Sequence, residues 1–169
     1  ILQKERQFYD LASQYYQQAL QLSNTASDSL SILNNQATLF KEQDRYNKAI
    51  ATYTLGLTLV PRLQKNSLYQ KTKLLDNLGN TRSLAAGEGL SELTQALQLS
   101  SQLSNHIRSY SIHRHLTQYY LRKRDTASAL PYATTMYELS NMISDKDYEK
   151  EALSLLLKLN QPQYGLRYV

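Results

Sequence analysis

The chain has 169 residues, of which 41% are hydrophobic and 20% are charged, with a formal net charge of +5. This length and composition are enough to bury one continuous core. Cysteine is absent, which excludes disulfides and thiolate chemistry. The sequence contains no run of eighteen apolar residues, so it predicts no membrane-spanning segment.

The first segment, residues 3–23, has the periodicity of an amphipathic helix. Tyr9, Ala12, Tyr16 and Ala19 recur at intervals of three, four and three residues, which places them on one face. The sequence begins ILQKERQ, without an initiator methionine or the layout of a signal peptide. We therefore expect this beginning to be an internal cut.

The next stretch predicts two helices joined by a tight turn. The first covers residues 28–43, and Asp44 makes the turn. The second helix runs to Pro61, and large and small side chains alternate along its apolar seam, which suits close packing against a neighbouring helix. The seam consists of Tyr46, Ala49, Tyr53, Gly56 and Leu57. Four residues are candidate N-caps of the first helix: Ser23, Thr25, Ser27 and Asp28.

Four further helices are predicted after a short basic linker. They cover residues 66–86, 89–104, 105–124 and about 125–143. Gly87 is placed to end the first in the left-handed conformation, and Asn105 is a plausible cap of the third. Thr126 or Asp125 starts the fourth, where Pro131 is tolerable within about the first turn and otherwise bends the helix.

A last helix begins at Asp145 or Asp147 and stops at Asn160 and Pro162. It contains the apolar run ALSLLLKL, which suits a helix that packs on the preceding hairpin. The tail that follows is too short and mixed to classify, as either a frayed end or the start of another repeat.

A six-residue pattern recurs through the chain. ALQLSN, GLTLVP, ALQLSS and MYELSN begin at Ala19, Gly56, Ala96 and Met136, which are 37, 40 and 40 residues apart. Self-similarity at such a period is typical of stacked helical units, none of which buries its apolar face alone.

These repeats resemble the tetratricopeptide repeat in its variant of about forty residues. The central unit carries that family's pattern most fully, in Leu33, Ala37, Phe40, Tyr46, Ala49, Tyr53, Gly56 and Pro61. The third unit matches at Leu78, Gly79, Leu93, Ala96 and Leu97, and the fourth at Leu116, Tyr120, Ala129, Ala133 and Met136. The third unit departs from the pattern, because Gly79 and Ala96 are 17 residues apart whereas Ala37 and Gly56 are 19 apart.

The resemblance implies an all-α fold of about eight helices, in which tandem antiparallel hairpins stack as a right-handed α-solenoid. The repeat domain would cover residues 1–161, with 162–169 as a C-terminal tail. Its units would be 1–24, 25–63, 64–104 and 105–143, with a capping helix at 145–160. The first unit keeps only the second half of a hairpin, so either the chain is a fragment of a longer array or another chain covers this face.

No motif for catalysis or cofactor binding occurs. Gly87-Glu88-Gly89 is a turn rather than a phosphate-binding loop. The three histidines, His106, His113 and His115, have no acidic residue between positions 93 and 124 to complete a metal site or orient a base. We interpret them as solvated helix residues, and we expect no enzyme activity, metal or cofactor.

Positive charge concentrates in residues 93–124, which carry five basic residues and no acid: Arg108, Arg114, Arg122, Lys123 and Arg124. With interleaved tyrosines, such a segment can bind phosphates or nucleic acid. The alternative is that the last three basic residues offset the dipole at a helix C-terminus. We favour the alternative, because the other arginines are spread around the helix and no DNA-binding motif occurs.

In tetratricopeptide arrays the first helix of each hairpin lines a concave groove that holds a peptide or partner helix. On the equivalent helices here, polar residues off the apolar seam form one stripe each. Asparagine amides pair with peptide backbone, and lysine or arginine binds carboxylates, as in the family's clamp for acidic or C-terminal peptide ends. The predicted ligand-binding residues are Asn34, Thr38, Lys41, Lys73, Asn77, Asn80, Arg114, Gln118 and Arg122.

The sequence therefore predicts a non-catalytic protein- or peptide-binding module. The style of the repeats resembles arrays in regulatory proteins of Bacteroidetes-type bacteria, which implies a sensor or interaction region that faces the periplasm, or otherwise a cytoplasmic one. A basic nucleic-acid-binding module or a self-associating structural scaffold are the alternatives. Uncovered apolar faces at the two ends of the array would allow a homo-oligomer.

Overall fold

A computed structural model describes the backbone of residues 2–160 and the side chains of residues 8–160. Within these residues the chain forms eight α-helices, a 3-10 turn at Val60–Arg62 and no strand. The helices are α1 (Leu2–Leu22), α2 (Ala26–Glu42), α3 (Tyr46–Leu59), α4 (Ser67–Ala86), α5 (Leu90–Ser100), α6 (His106–Arg122), α7 (Thr126–Ile143) and α8 (Lys146–Leu159). The predicted all-α fold of about eight helices is confirmed. The superhelical path and its hand remain predictions, and the tail at 162–169 lies outside the described residues.

Side-chain caps fix where four of the helices begin. Thr25 Oγ1 accepts a hydrogen bond from the Asp28 N–H at 3.0 Å, which selects Thr25 among the four predicted caps. Asn105, Asp125 and Asp145 cap α6, α7 and α8 in the same way, with distances of 2.8, 3.0 and 2.9 Å. Each cap satisfies one of the backbone donors that a helix leaves unpaired at its start.

The predicted boundary of α5 is too late, the position of Pro131 is now fixed, and the predicted end of α4 is confirmed. α5 ends at Ser100 rather than 104, because the backbone there turns to shorter-range bonds such as Leu103 N–H to Ser100 C=O at 2.9 Å. Pro131 is the sixth residue of α7, and the helix continues through it. Gly87 ends α4 with φ of 69°, as predicted.

Two glycines allow α4 and α5 to pack closely in the third unit. A Cβ at Gly89 would lie 2.2 Å from the Gly79 carbonyl oxygen, and one at Gly79 would lie 2.7 Å from Leu93 Cγ. Gly89 also has a φ of 96°, which side-chain-bearing residues rarely adopt. The absence of two side chains therefore lets α4 and α5 approach closely. The connection at residues 87–89 is as long as the one between α2 and α3 at 43–45, and the shorter spacing arises because α5 begins at Leu90, nearer to Ala96 than the start of α3 at Tyr46 is to Gly56.

Each helix packs against its neighbours in sequence, and the even-numbered helices also contact one another. α4 contacts both α2 and α6, and α6 contacts α8. The surface shared by α2, α4, α6 and α8 is called the first-helix face below, because α2, α4 and α6 are the first helices of the predicted hairpins. All nine predicted binding residues lie on the first three of these helices.

The core follows the predicted seam. Ala49, Tyr53 and Gly56 of α3 are buried, and a Cβ on Gly56 would already meet Leu74 of α4 at 3.2 Å. Among the helices that the structure describes, none combines the length and apolarity needed to cross a membrane.

Candidate binding face on the first helices

The nine predicted residues differ in exposure. Asn34 and Asn80 are buried, and Arg122 is exposed. The others are half-buried: Thr38, Lys41, Lys73, Asn77, Arg114 and Gln118. The half-buried side chains are still partly exposed to solvent, so a ligand can reach them.

An amide pair joins α2 to α4 on this face. The Asn77 Nδ2 group donates to the Asn34 Oδ1 atom at 3.0 Å. The two residues are 43 positions apart in the sequence. The structure thus brings together two of the predicted stripes.

Asn80 lies one helical turn after Asn77. Only 7% of the residue is exposed, and its Oδ1 atom has no hydrogen-bond partner. Leaving a buried acceptor unsatisfied costs about 1–3 kcal/mol. Asn80 therefore carries an unsatisfied acceptor that is buried beneath the surface of the face.

Thr38 has a structural role in addition to its place in the stripe. Its hydroxyl donates to the Asn34 carbonyl oxygen at 2.9 Å, which leaves it to accept from the Tyr53 hydroxyl at 2.9 Å. Burial raises the pKa of Tyr53 to about 12, so the phenol stays protonated and remains a donor. Thr38 thus supports a buried tyrosine of the core.

A buried carboxylate on α4 faces α6. Asp76 is fully buried and accepts from three donors on α6: the Ser111 hydroxyl at 2.8 Å, His115 Nδ1 at 2.7 Å and Arg108 Nη1 at 3.4 Å. Burial alone would raise the pKa of Asp76, but His115, Ser111 and Arg108 outweigh it and hold the pKa below its usual value. Asp76 therefore stays ionised inside the protein.

This carboxylate corrects the prediction that the histidines are solvated. His115 is buried against Asp76, and His113 is half-buried with Nδ1 2.8 Å from the Ser109 carbonyl oxygen. Burial lowers the pKa of His113. Only His106 is exposed as expected. The residues around the histidines contain no acid, whereas Asp76 lies on the neighbouring helix α4.

The network extends from Asp76 across α6 to α8. Because His115 Nδ1 donates to Asp76, its Nε2 atom accepts from Arg114 Nη2 at 3.4 Å. Arg114 Nη1 lies 3.5 Å from Glu151 on α8. The chain of contacts from Asp76 to Glu151, with Arg108, Ser111, His115 and Arg114 between them, is called the Asp76 network.

The remaining cations of the face have different surroundings. Arg122 donates from Nε and Nη2 to the Ser83 hydroxyl of α4 at 3.1 and 2.8 Å. Within residues 8–160, Lys41 has no carboxylate within ion-pair distance. Burial lowers the pKa of Lys41, repulsion from Arg114 adds to this, and Glu42 and Asp76 oppose it. Lys41 is therefore a half-buried cation that is influenced by acids as well as by a second cation.

The charge of α6 is lower than its sequence indicates. Arg108 is paired with Asp76 and Arg114 with Glu151, and both acids come from other helices. A cleft of about 170 Å³ lies beside these arginines, lined by Ile107, Arg108, Tyr110, Ser111, Arg114 and Tyr148.

Among the described residues no group of three or more potential ligands could hold a metal ion.

By its fold and this face, the described part of the chain is an all-α protein of packed helical pairs with a polar face on its first helices. No family model matches the sequence, and comparison with proteins of curated function found no similar sequence. The relation to tetratricopeptide repeats therefore stays a resemblance.

Proposed function

We propose that this protein is a non-catalytic module that binds an extended peptide or protein segment on the first-helix face. The observation that carries the proposal is the Asn34–Asn77 amide pair, which joins α2 to α4 at 3.0 Å and in which Asn77 is half-buried and still reaches solvent. Asparagine amides offer both a donor and an acceptor, which is what pairing with a peptide backbone needs.

The cations of the face indicate an acidic ligand. Lys41 has no carboxylate within ion-pair distance in the described part of the chain, although Glu42 raises its pKa by more than Arg114 lowers it. A carboxylate that binds at Lys41 would form a charge-assisted contact, and such a contact is stronger where the cation is partly shielded from water. We infer that the ligand carries an acidic side chain or a free C-terminal carboxylate.

The Asp76–His115 pair does not support catalysis. A histidine that acts as a base needs its second nitrogen free to face a substrate, whereas His115 Nε2 faces Arg114 and the ring is buried. We assign the pair a structural role. The resemblance of the repeats to bacterial regulatory arrays supports a place in signalling, as a sensor or interaction region.

Peptide arrays would test the proposal. Immobilised peptides with acidic residues and free C-termini would be compared with the same peptides amidated at the C-terminus, and the hits measured by fluorescence anisotropy. We expect free-acid peptides to bind the native protein. Changing Asn77 and Arg114 together to alanine should weaken binding at least tenfold, because it removes an amide contact and a charge-assisted one.

A matched control changes the same residue types elsewhere, with Asn47→Ala on α3 and Arg62→Ala in the 3-10 turn, both exposed. The control should bind as the native protein does. Equal weakening by both double variants, or none by either, would move the site away from the first-helix face. Binding of oligonucleotides that falls steeply with salt would instead favour the nucleic-acid alternative.

A further inference from the structure

The cleft of about 170 Å³ between α6 and α8 combines cations with apolar side chains. Arg108 and Arg114 line it from α6. The remaining lining residues are Ile107, Tyr110, Ser111 and Tyr148. Ile107 is 54% exposed, so solvent reaches this part of the cleft. Pockets for drug-sized molecules are larger, so the cleft suits one small group, such as a side chain or a chain end.

The acid nearest to Arg108 has closer partners. Asp76 accepts from His115 at 2.7 Å and from Ser111 at 2.8 Å, whereas Arg108 lies at 3.4 Å. The other acceptor of Arg108 is the Tyr69 hydroxyl, at 3.3 Å. Charge-assisted N–H···O bonds are ordinarily about 2.7–2.9 Å long. Among the described residues Arg108 is therefore a largely buried cation, with 13% of its side chain exposed, that has no close acceptor.

Arg114 is held by similarly long contacts. Within residues 8–160 its acceptors are Glu151 at 3.5 Å and His115 Nε2 at 3.4 Å. Glu151 is also shared, because it accepts from the Tyr110 hydroxyl at 3.1 Å. A guanidinium has more N–H donors than two long contacts satisfy. Arg108 and Arg114 can therefore each take a further acceptor, and they would do so through their Nη groups, because their Nε atoms are buried.

We propose that this cleft binds an oxyanion, a carboxylate or a phosphate, that is attached to a short apolar group. Arg108 and Arg114 would hold the oxyanion, since the planar donors of arginine match the geometry of both kinds of oxyanion. The apolar group would pack on Ile107 and Tyr148. Of the lining residues only Arg114 belongs to the predicted set of nine, so the cleft extends the first-helix face from α6 to α8.

Two sources present this chemistry. One is an acidic residue or the C-terminus of the bound peptide, and this source rests on the proposed function. The other is a free small acid, which does not. The cleft and its two arginines are the same in both cases, so the experiment first measures the oxyanion alone and then the peptide.

NMR of the arginine side chains measures this binding directly. The Nε–Hε resonances of the isotope-labelled native protein would be assigned with Arg108→Lys and Arg114→Lys. They would then be followed during titrations with chloride, acetate, isovalerate and inorganic phosphate at constant pH and ionic strength. We expect the resonances of Arg108 and Arg114 to shift saturably with acetate, isovalerate and phosphate but not with chloride. Isovalerate should bind several-fold more tightly than acetate, because it adds an apolar group.

Arg82 is a matched control within the same spectrum. Its Nε atom is also buried without a partner in the described part of the chain, and its guanidinium lies 3.3 Å from Glu92. Arg82 is not among the residues that line the cleft. Its resonance should stay in place in every titration.

Ile107→Glu and Ile107→Gln test the cleft without changing its arginines. Ile107 is exposed, so the fold is expected to survive, and circular dichroism melts would verify it. The Ile107→Glu carboxylate would compete for the two arginines and should weaken isovalerate binding about tenfold or more. Ile107→Gln has the same length without the charge, so its affinity should stay much closer to that of the native protein.

Resonances of Arg108 and Arg114 that stay in place with acetate, isovalerate and phosphate would overturn the proposal. So would shifts that chloride reproduces or that Arg82 shares, equal affinities for acetate and isovalerate, or equal affinities of the two Ile107 variants for isovalerate.

The peptide titration separates this proposal from the proposed function. A free-acid peptide that shifts the resonances of Arg108 and Arg114, and that isovalerate displaces, would identify the peptide as the source. Peptides that bind without moving either resonance would refute the cleft alone. If no peptide binds and isovalerate still shifts both resonances, the proposed function fails and the cleft is a site for a free small acid.

Discussion

Replacing Asp76 by asparagine tests whether the buried carboxylate holds α4 to α6. The substitution keeps the shape of the side chain and removes its charge. Three donors from α6 currently point at Asp76, at 2.7, 2.8 and 3.4 Å. The amide can accept at one oxygen only, so its NH₂ group would face donors, and Arg108 would lose its buried counter-charge.

Breaking a buried ion pair by removing one partner destabilises a protein by about 3–5 kcal/mol. For a chain of this length each kcal/mol lowers Tm by roughly 2–4 °C. We therefore expect Asp76→Asn to lower Tm by about 6–20 °C. Urea and thermal unfolding followed by circular dichroism measure the change.

Asp10→Asn is the matched control, because Asp10 is an exposed carboxylate on α1 and surface substitutions change stability by about 0.5 kcal/mol or less. A double-mutant cycle with Ser111→Ala would isolate one contact, with an expected coupling of about 1 kcal/mol or more. A loss below about 1 kcal/mol for Asp76→Asn would refute the reasoning, since it would mean that Asp76 carries no buried charge.

Three further predictions concern stability. The folded pKa of Asp76 lies below its unfolded value, so its contribution to the free energy of unfolding is complete above the unfolded pKa and is lost as pH falls through the folded pKa. This loss should be missing from acid titrations of Asp76→Asn. Identical acid profiles of the native and variant proteins would contradict this. Tyr53→Phe removes the bond to Thr38 and should lower the free energy of unfolding by about 1 kcal/mol in urea titrations; an unchanged midpoint would mean that the bond contributes nothing. Gly89→Ala should cost at least about 2 kcal/mol, because it adds a Cβ 2.2 Å from the Gly79 oxygen at a φ of 96°, and a thermal melt that matches the native one would contradict the close approach.

Local signals in the sequence predicted the helices and most of their ends. Short polar caps such as Asn105 act within three residues, and Gly87 ends α4 through its own backbone freedom, so neither depends on the rest of the fold. The end of α5 was predicted too late, because a run of serine, glutamine and leucine carries no strong stop signal. The alternation of large and small residues at Tyr53 and Gly56 predicted close packing against a neighbouring helix, and the structure shows that this helix is α4.

The sequence by itself determined the all-α class, the spacing of the units and the residues that stand on each helix, because periodicity and capping are properties of neighbouring residues. Only the tertiary structure decided which polar groups meet. Asp76 and His115 are 39 residues apart, Arg114 and Glu151 are 37 apart, and Asn34 and Asn77 are 43 apart. Their pairing depends on how the first helices pack beside one another, which the residues of a single helix do not determine. A histidine and an acid on separate helices therefore give no sign in the sequence that they will be partners.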